Sequence, residues 1–416
     1  MEEKFLLGAA SAGHQVEGYN TNSDIWAQEQ MKHGGYPVKS GIACDHYRRW
    51  KEDIDLLKGA GLNAYRFSLE WARIEPEEGV FDKEATEHYR EVLQYCRDNG
   101  IEPVLTLVHF SCPVWLIKKG GWEADTTVEY FRRYAEYVCT QYKDLLHYIC
   151  TLNEANMGYL INLYMAMAKQ QAGGALQIGM DIEAMAREEE ERKAENIQVF
   201  GCEEPAVFVS PRTDHGNQVI MNAHIAAVKM IHEIIPDAKA GITLSVRDIQ
   251  WADGCEEKAR KAWEAEFLQF MPAVQAGDFV GIQNYTRCVI GENGELPPEE
   301  GREVTEMGYE YYPEGLEHVL RTVHKDYKGD ILITENGIGT LDDSRRVEFI
   351  RTAVDGVRSC RRDGIPVIGY CYWTLMDNYE WQSAYSMHFG LIGVDRETME
   401  RHPRESLYFL GKQQIR

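Results

Sequence analysis

Apolar runs and amphipathic stretches alternate from one end of the chain to the other. Eight runs read as strands, at 5–11, 63–69, 103–108, 147–152, 239–245, 278–284, 330–335 and 366–373. They are short and mostly apolar, as strands are when helices cover a parallel sheet. Between them the apolar positions change to helical spacing. Tyr47, Trp50, Ile54 and Leu57 form one stripe, stopped by Gly59-Ala60-Gly61, and Tyr89, Val92, Leu93 and Cys96 form a second before Asn99-Gly100. Val128, Phe131, Tyr134, Val138 and Tyr142 form a third. Met221, Ile225, Val228 and Ile231 form a fourth, which ends before Pro236. Eight strand–helix alternations without a linker rich in Pro, Gly or Ser predict an α/β fold, a single (β/α)8 TIM barrel domain over 1–416. A doubly wound sheet would carry a glycine-rich phosphate turn, and no G-x-G-x-x-G follows a strand.

A minimal barrel takes about 250 residues, whereas the chain has 416. The surplus is assigned to long βα loops at the C-terminal face. The largest is an insertion at about 167–215, with Gly173-Gly174 and a run from Glu188 to Lys193 that is mixed in sign and reads as a solvated helix face. Acidic residues number 67 and basic ones 44, a formal net charge of −23, which repels a phosphate backbone and disfavours nucleic acid as a partner. No apolar run reaches the ~18 residues of a membrane span. Met1-Glu2-Glu3-Lys4-Phe5 leads straight into a strand rather than a secretory leader, so the cytoplasm is the expected location. Ten cysteines, none in a C-x-x-C pair, read as small buried hydrophobes in a reducing compartment. Neither they nor the histidines cluster as metal ligands, so no metal and no other cofactor is expected. Nothing in the sequence bears on oligomeric state.

In such a barrel, catalytic groups stand at the C-terminal ends of strands. The fourth strand ends in Asn153-Glu154 and the seventh in Glu335-Asn336-Gly337, so barrel closure brings together two carboxylates distant in sequence. Glycoside hydrolysis uses such a pair, one as acid and the other as nucleophile or base. Either glutamate alone is as readily a helix cap or an ion-pair partner; the pair, each beside an Asn at a strand end, carries the reading. Arg66, in the second strand, needs a carboxylate partner if it points into the barrel. The remaining strand ends carry Gln15, His109, Tyr285, Trp373, Glu380 and Trp381. Amide, imidazole and carboxylate groups suit sugar hydroxyls and indoles suit sugar C–H faces, so the set fits a carbohydrate pocket.

With these residues in view, the chain resembles glycoside hydrolase family 1, the β-glucosidase family, over nearly its whole length. The resemblance rests on Phe5 to Ala10 with Gln15-Val16-Glu17-Gly18, on Tyr65-Arg66-Phe67-Ser68, and on Thr106-Leu107-Val108-His109. It continues through Thr151-Leu152-Asn153-Glu154, Ile333-Thr334-Glu335-Asn336-Gly337, Asp377 to Trp381, Phe389-Gly390-Leu391 and Val394-Asp395. It implies a retaining double displacement in which Glu335 attacks the anomeric carbon and Glu154 serves as acid, then base. It also implies that Arg66 and Tyr285 keep Glu335 ionised and that Asn153 binds the sugar 2-hydroxyl. Gln15, His109, Glu380 and Trp381 would hold the other hydroxyls over a Trp373 floor. Four positions depart from the pattern: Ala155 stands where Pro is usual, Phe110 for Trp, Gln283 for Asn and Tyr309 for a Trp on the leaving-group side. Ala155 is expected to loosen its loop slightly. From Asn156 to about Thr213 the likeness fades.

Two rival readings within the family are weighed on single residues. Phospho-sugar hydrolases replace the Glu-Trp pair with Ser, Lys and Tyr; here Glu380 is expected to repel a 6-phosphate, and Met387-His388 offers no Lys. Thioglucosidase-like members lack the acid/base glutamate that this chain keeps. A non-catalytic sugar-binding barrel would lack one of the two glutamates, and a metal-dependent lyase or isomerase would need a ligand cluster. The expected substrate is the non-reducing-end sugar of a small β-glycoside or oligosaccharide, first of all a β-glucoside, with galactose, fucose and xylose left open.

Overall fold

The computed structural model describes residues 4–162, 165 and 182–415. Eight parallel strands close into a barrel in chain order: β1 (Leu6–Ala10), β2 (Ala64–Ser68), β3 (Glu102–Val108), β4 (Tyr148–Leu152), β5 (Lys239–Ser245), β6 (Phe279–Gln283), β7 (Asp330–Asn336) and β8 (Val367–Trp373), with β8 returning to pair with β1. Each lies on a run read from the sequence. Alternation along the strands sorts their side chains. In β2, Tyr65 and Phe67 join the large cluster between sheet and helices, while Ala64 joins a smaller cluster inside the barrel with Leu6, Val104, Tyr148, Phe279 and Leu332. That inner cluster plugs the lower barrel and leaves the upper end to polar groups.

Outside lie α1 (His46–Gly59), α2 (Lys83–Asp98), α3 (Thr126–Tyr142), α4 (Asp214–Ile234), α5 (Met271–Ala276), α6 (Gly315–Asp326), α7 (Asp343–Arg362) and α8 (Glu405–Gly411). The predicted stripes supply their buried faces, with one correction in α4. Ile225 is 37% exposed, and the inward position belongs to His224. Its ring sits 2.7 Å from Thr151 Oγ1 and 3.0 Å from the Ala273 carbonyl, so both ring nitrogens are satisfied and burial costs little. Two features had no sequence signal: a three-stranded sheet (Asp248–Trp251, Arg287–Gly291 and Gly294–Leu296) and a two-stranded one (Ile392–Val394 with Arg401–Pro403).

The surplus length lies in the βα loops. The loop from β4 to α4 contains a helix, Ile182–Phe200, whose residues 187–191 are exposed as the charged run required. Residues 167–181 of the expected insertion lie outside the described residues. No described helix is long and apolar enough to cross a membrane.

Candidate active site

Glu335 reaches the barrel mouth through a bulge. β7 pairs Ile333 with Ile282 but Glu335 with Gln283, one residue out of step, and such a slip re-aims a side chain at a strand end. Gly337 is required just beyond, because a Cβ there would lie 1.9 Å from the Trp373 carbonyl oxygen. Arg66, fully buried on β2, donates to Glu335 Oε1, to Asn153 Oδ1 at 2.5 Å and to the Thr334 carbonyl at 3.3 Å. The carboxylate partner that the sequence demanded for this arginine is Glu335. Tyr285 donates to Glu335 Oε2 at 2.5 Å, and Gln283 Nε2 to Oε1 at 2.9 Å. Burial raises Glu335 above its ordinary value, while Arg66 and Tyr285 pull it back.

Glu154 lies just past β4 with φ +43°, a left-handed conformation that non-glycine residues rarely adopt. Two bonds to one β5 residue hold it: the Glu154 amide donates to Thr243 Oγ1 and the Ala155 amide to the Thr243 carbonyl, both at 3.0 Å. The second bond corrects an expectation. A proline at 155 has no N–H to give, so alanine tethers this loop rather than loosening it. Among the described residues no cation bonds the Glu154 carboxyl. Burial, then the charge on Glu335, push it up to about 8, opposed by a Ser245 hydroxyl bond and by Arg66. The two glutamates are thus set apart, one beside a guanidinium and the other protonated near neutrality.

Glu154 and Glu335 line one cavity of about 360 Å³ with His109, Asn153, Tyr285, Trp373, Glu380 and Trp381. Of the residues picked from sequence, Gln15 and Arg66 do not line it. Gln15 is fully buried behind it, where its Nε2 donates to the Tyr379 carbonyl at 2.9 Å and to Glu380 Oε2 at 3.2 Å; its Oε1 has no partner among the described residues. Burial and the Arg66 charge push His109 well below its ordinary value, so the ring is neutral. Asn153 Oδ1 is occupied by Arg66 and by Gln283 at 2.7 Å, so Asn153 Nδ2 donates to His109 Nε2 at 3.2 Å. That assignment puts the imidazole proton on Nδ1, which no described residue accepts. Trp373 stacks on His109 at 5.5 Å, and half-buried Trp381 stacks on His14 at 6.0 Å.

The setting of Glu380 bears on the expected exclusion of a 6-phosphate. Burial and the Glu335 charge push it up to about 8, so it holds a proton near neutrality and simple charge repulsion of a phosphate is not its main effect. The stronger obstacle is that, among the described residues, no Lys or Arg lines the cavity. His388 is engaged by Glu306, with Nδ1 3.1 Å from Oε1. Sequence reasoning missed Ser245 and Tyr36 at this cavity, neither of which belongs to a motif. It also missed the role of Gln283, whose extra methylene lets one amide reach both Asn153 and Glu335.

The model for glycosyl hydrolase family 1 matches residues 1–186 and 274–414. The chain belongs to glycosyl hydrolase family 1. A β-glucosidase of Agrobacterium sp. is 31% identical over 446 residues, covering 97% of this chain and 92% of its own. The crystal structure of a β-glycosidase, BGL167, superposes with a TM-score of 0.89 at 43% identity, covering 99% and 96%. A 6-phospho-β-galactosidase of Clostridium acetobutylicum is 27% identical, covering 99% and 96%. As a family 1 member the chain is a β-glycosidase, and retention is general to the family. The unmatched residues, 187–273, include the second part of the loop between β4 and α4, all of α4 and the whole of β5, so Ser245 and Thr243 lie outside the matched residues.

Proposed function

We propose that this family 1 enzyme removes the terminal, unphosphorylated sugar of small β-glycosides, with β-glucosides as its main substrates, Glu335 as nucleophile and Glu154 as acid/base. The observation that carries the assignment is the asymmetry of the two carboxyls. Glu335 alone touches a guanidinium and a phenol, whereas Glu154, without a contacting cation among the described residues, sits at about 8. In the first step Glu335 bonds to the anomeric carbon while Glu154 passes its proton to the departing oxygen, releasing the aglycone alcohol. Esterification removes the Glu335 charge that had raised Glu154, so Glu154 becomes a stronger acid and, now ionised, a usable base. It takes a proton from water as the water oxygen attacks the anomeric carbon. The sugar leaves with retained configuration and both carboxyls return to their starting states.

Asn153 Nδ2, the free Nδ1–H of His109, and Glu380 with Trp381 are read as the hydroxyl partners, with Trp373 beneath the ring and Gln15 fixing Glu380 from behind. Arg66 needs no substrate contact; it holds Glu335. The whole chain is read as one barrel domain whose insertion belongs to the fourth βα loop. Ten free thiols, nine of them buried, fit a cytoplasmic protein. In the deciding experiment, Glu335→Ala abolishes turnover of an aryl β-glucoside and azide restores it with inverted product, whereas Glu154→Ala slows poor leaving groups far more than activated ones. Azide rescue of Glu335→Ala with retained product would reverse the two roles.

A further inference from the structure

Ser245 ends β5 and lines the cavity that holds Glu154 and Glu335. Alternation along the strand places it there. Leu244 and Val246 join the large cluster between sheet and helices, which turns half-buried Ser245 to the barrel mouth. Its main chain is fixed from two sides. Ser245 pairs with Gln283 of β6, and the Val246 amide donates to the Gln283 carbonyl at 2.8 Å. On the other side, fully buried Asn156 takes both polar groups of the Ser245 backbone, accepting from the amide at 3.0 Å and donating to the carbonyl at 2.7 Å. Asn156 Nδ2 also donates to the Glu266 carbonyl at 2.9 Å. A residue two places past Glu154 is thus locked to the end of β5, and Glu154 and Ser245 are held by one set of bonds.

These bonds use only the backbone of Ser245. Its hydroxyl faces the Glu154 carboxyl and bonds no other described residue. Charged and titratable groups reach Glu154 from the other elements as well. Glu335 of β7 and Glu380 after β8 disfavour its ionisation, and Arg66 of β2 favours it. Tyr285 and Tyr309 after β6 and His109 after β3 line the same cavity, where burial keeps both phenols protonated and the imidazole neutral. Arg247, two residues past Ser245, pairs with Glu266 at 2.7 Å and with Glu295 at 2.6 Å. A hydroxyl differs from all of the charged groups here. It can donate to a carboxylate and also to the carbonyl oxygen of a carboxylic acid, more strongly to the first.

We propose that Ser245 is a positioning residue for the acid/base: its hydroxyl holds one carboxyl oxygen of Glu154 through both steps, so that the other faces first the departing oxygen and then the attacking water. The proposal rests on the reading of Glu154 given above. The test begins with Ser245→Ala on phenyl β-glucoside, whose leaving group needs the proton. Loss of a bond that favours the ionised form should move the basic limb of kcat/KM up by about half to one pH unit. On 2,4-dinitrophenyl β-glucoside the leaving group needs no proton, and water attack is the step left to Glu154. There kcat and KM should fall together, about three- to tenfold, as the glycosyl-enzyme accumulates. Ser245→Thr keeps the hydroxyl and should hold both readouts near those of the unmodified enzyme. A merely structural loss would lower both substrates alike and leave the limb in place. An unmoved limb, a fall in kcat without one in KM, or a threonine variant that behaves like alanine would overturn the role of Ser245. Equal slowing of the phenyl and dinitrophenyl glucosides by Glu154→Ala would instead overturn the acid/base reading.

Discussion

At the scale of single residues, the site works by giving identical side chains unlike surroundings. Glu335, Glu154 and Glu380 are all raised by burial, but only Glu335 bonds Arg66. Its negative charge then helps keep protons on the other two. Three non-glycine residues lining the cavity, Phe110, Glu154 and Trp381, have φ of +69°, +43° and +48°. Such conformations cost roughly 1 kcal/mol or more each and persist where surrounding bonds over-determine them, commonly at active sites. The pH dependence follows with a definite sign. With Glu154 as the proposed acid, the first step needs it protonated, and its value of about 8 lies far above that of an ordinary carboxyl. The kcat/KM of a substrate with a poor leaving group should therefore hold up to near pH 8 and then fall about tenfold per pH unit. Glu154→Gln should remove that basic limb for an activated aryl substrate. A limb beginning near pH 5 would contradict the assignment of Glu154 as acid.

At the scale of elements, positions that depart from the family pattern are accommodated by neighbouring strands. Ala155 and Glu154 hang from Thr243 of β5, and Gln283 spans from β6 to the ends of β4 and β7. Ala155→Pro should remove one buried hydrogen bond and strand the Thr243 carbonyl, costing about 1 kcal/mol. Denaturant unfolding would measure it, and an unchanged or higher stability would show that the Ala155–Thr243 bond contributes nothing. The strand and helix positions were legible because their periodicities follow from which faces are buried. His224 was not, because a polar residue on an inward face is invisible until Thr151 and the Ala273 carbonyl are known to meet it. Nor were the two small sheets, whose strands are short and pair with partners brought near only by the loops.

At the scale of the whole molecule, barrel closure and charge together set what can bind. The chain carries a formal net charge of −23, and among the described residues no cation lines the cavity. A sugar 6-phosphate would lose its hydration with no positive partner in exchange. Aryl β-glucoside should accordingly be cleaved at least about two orders of magnitude faster than its 6-phosphate, judged by kcat/KM. Similar rates on both, or preference for the phosphate, would move this chain toward its 6-phospho-β-galactosidase relative.

The sequence by itself determined the order of the eight strands, the placement of Glu154 and Glu335 at strand ends and the demand of Arg66 for a carboxylate. These follow from local hydrophobic periodicity and from the cost of burying an unpaired charge, both of which act residue by residue. Only the tertiary structure decided that Gln283 bonds Glu335, that Gln15 sits behind Glu380 instead of facing the cavity, and that Tyr36 enters it. Those outcomes depend on strand register, on the bulge at Glu335 and on how the loops after β1, β4 and β8 rest on one another. Such distances exist only once the barrel has closed.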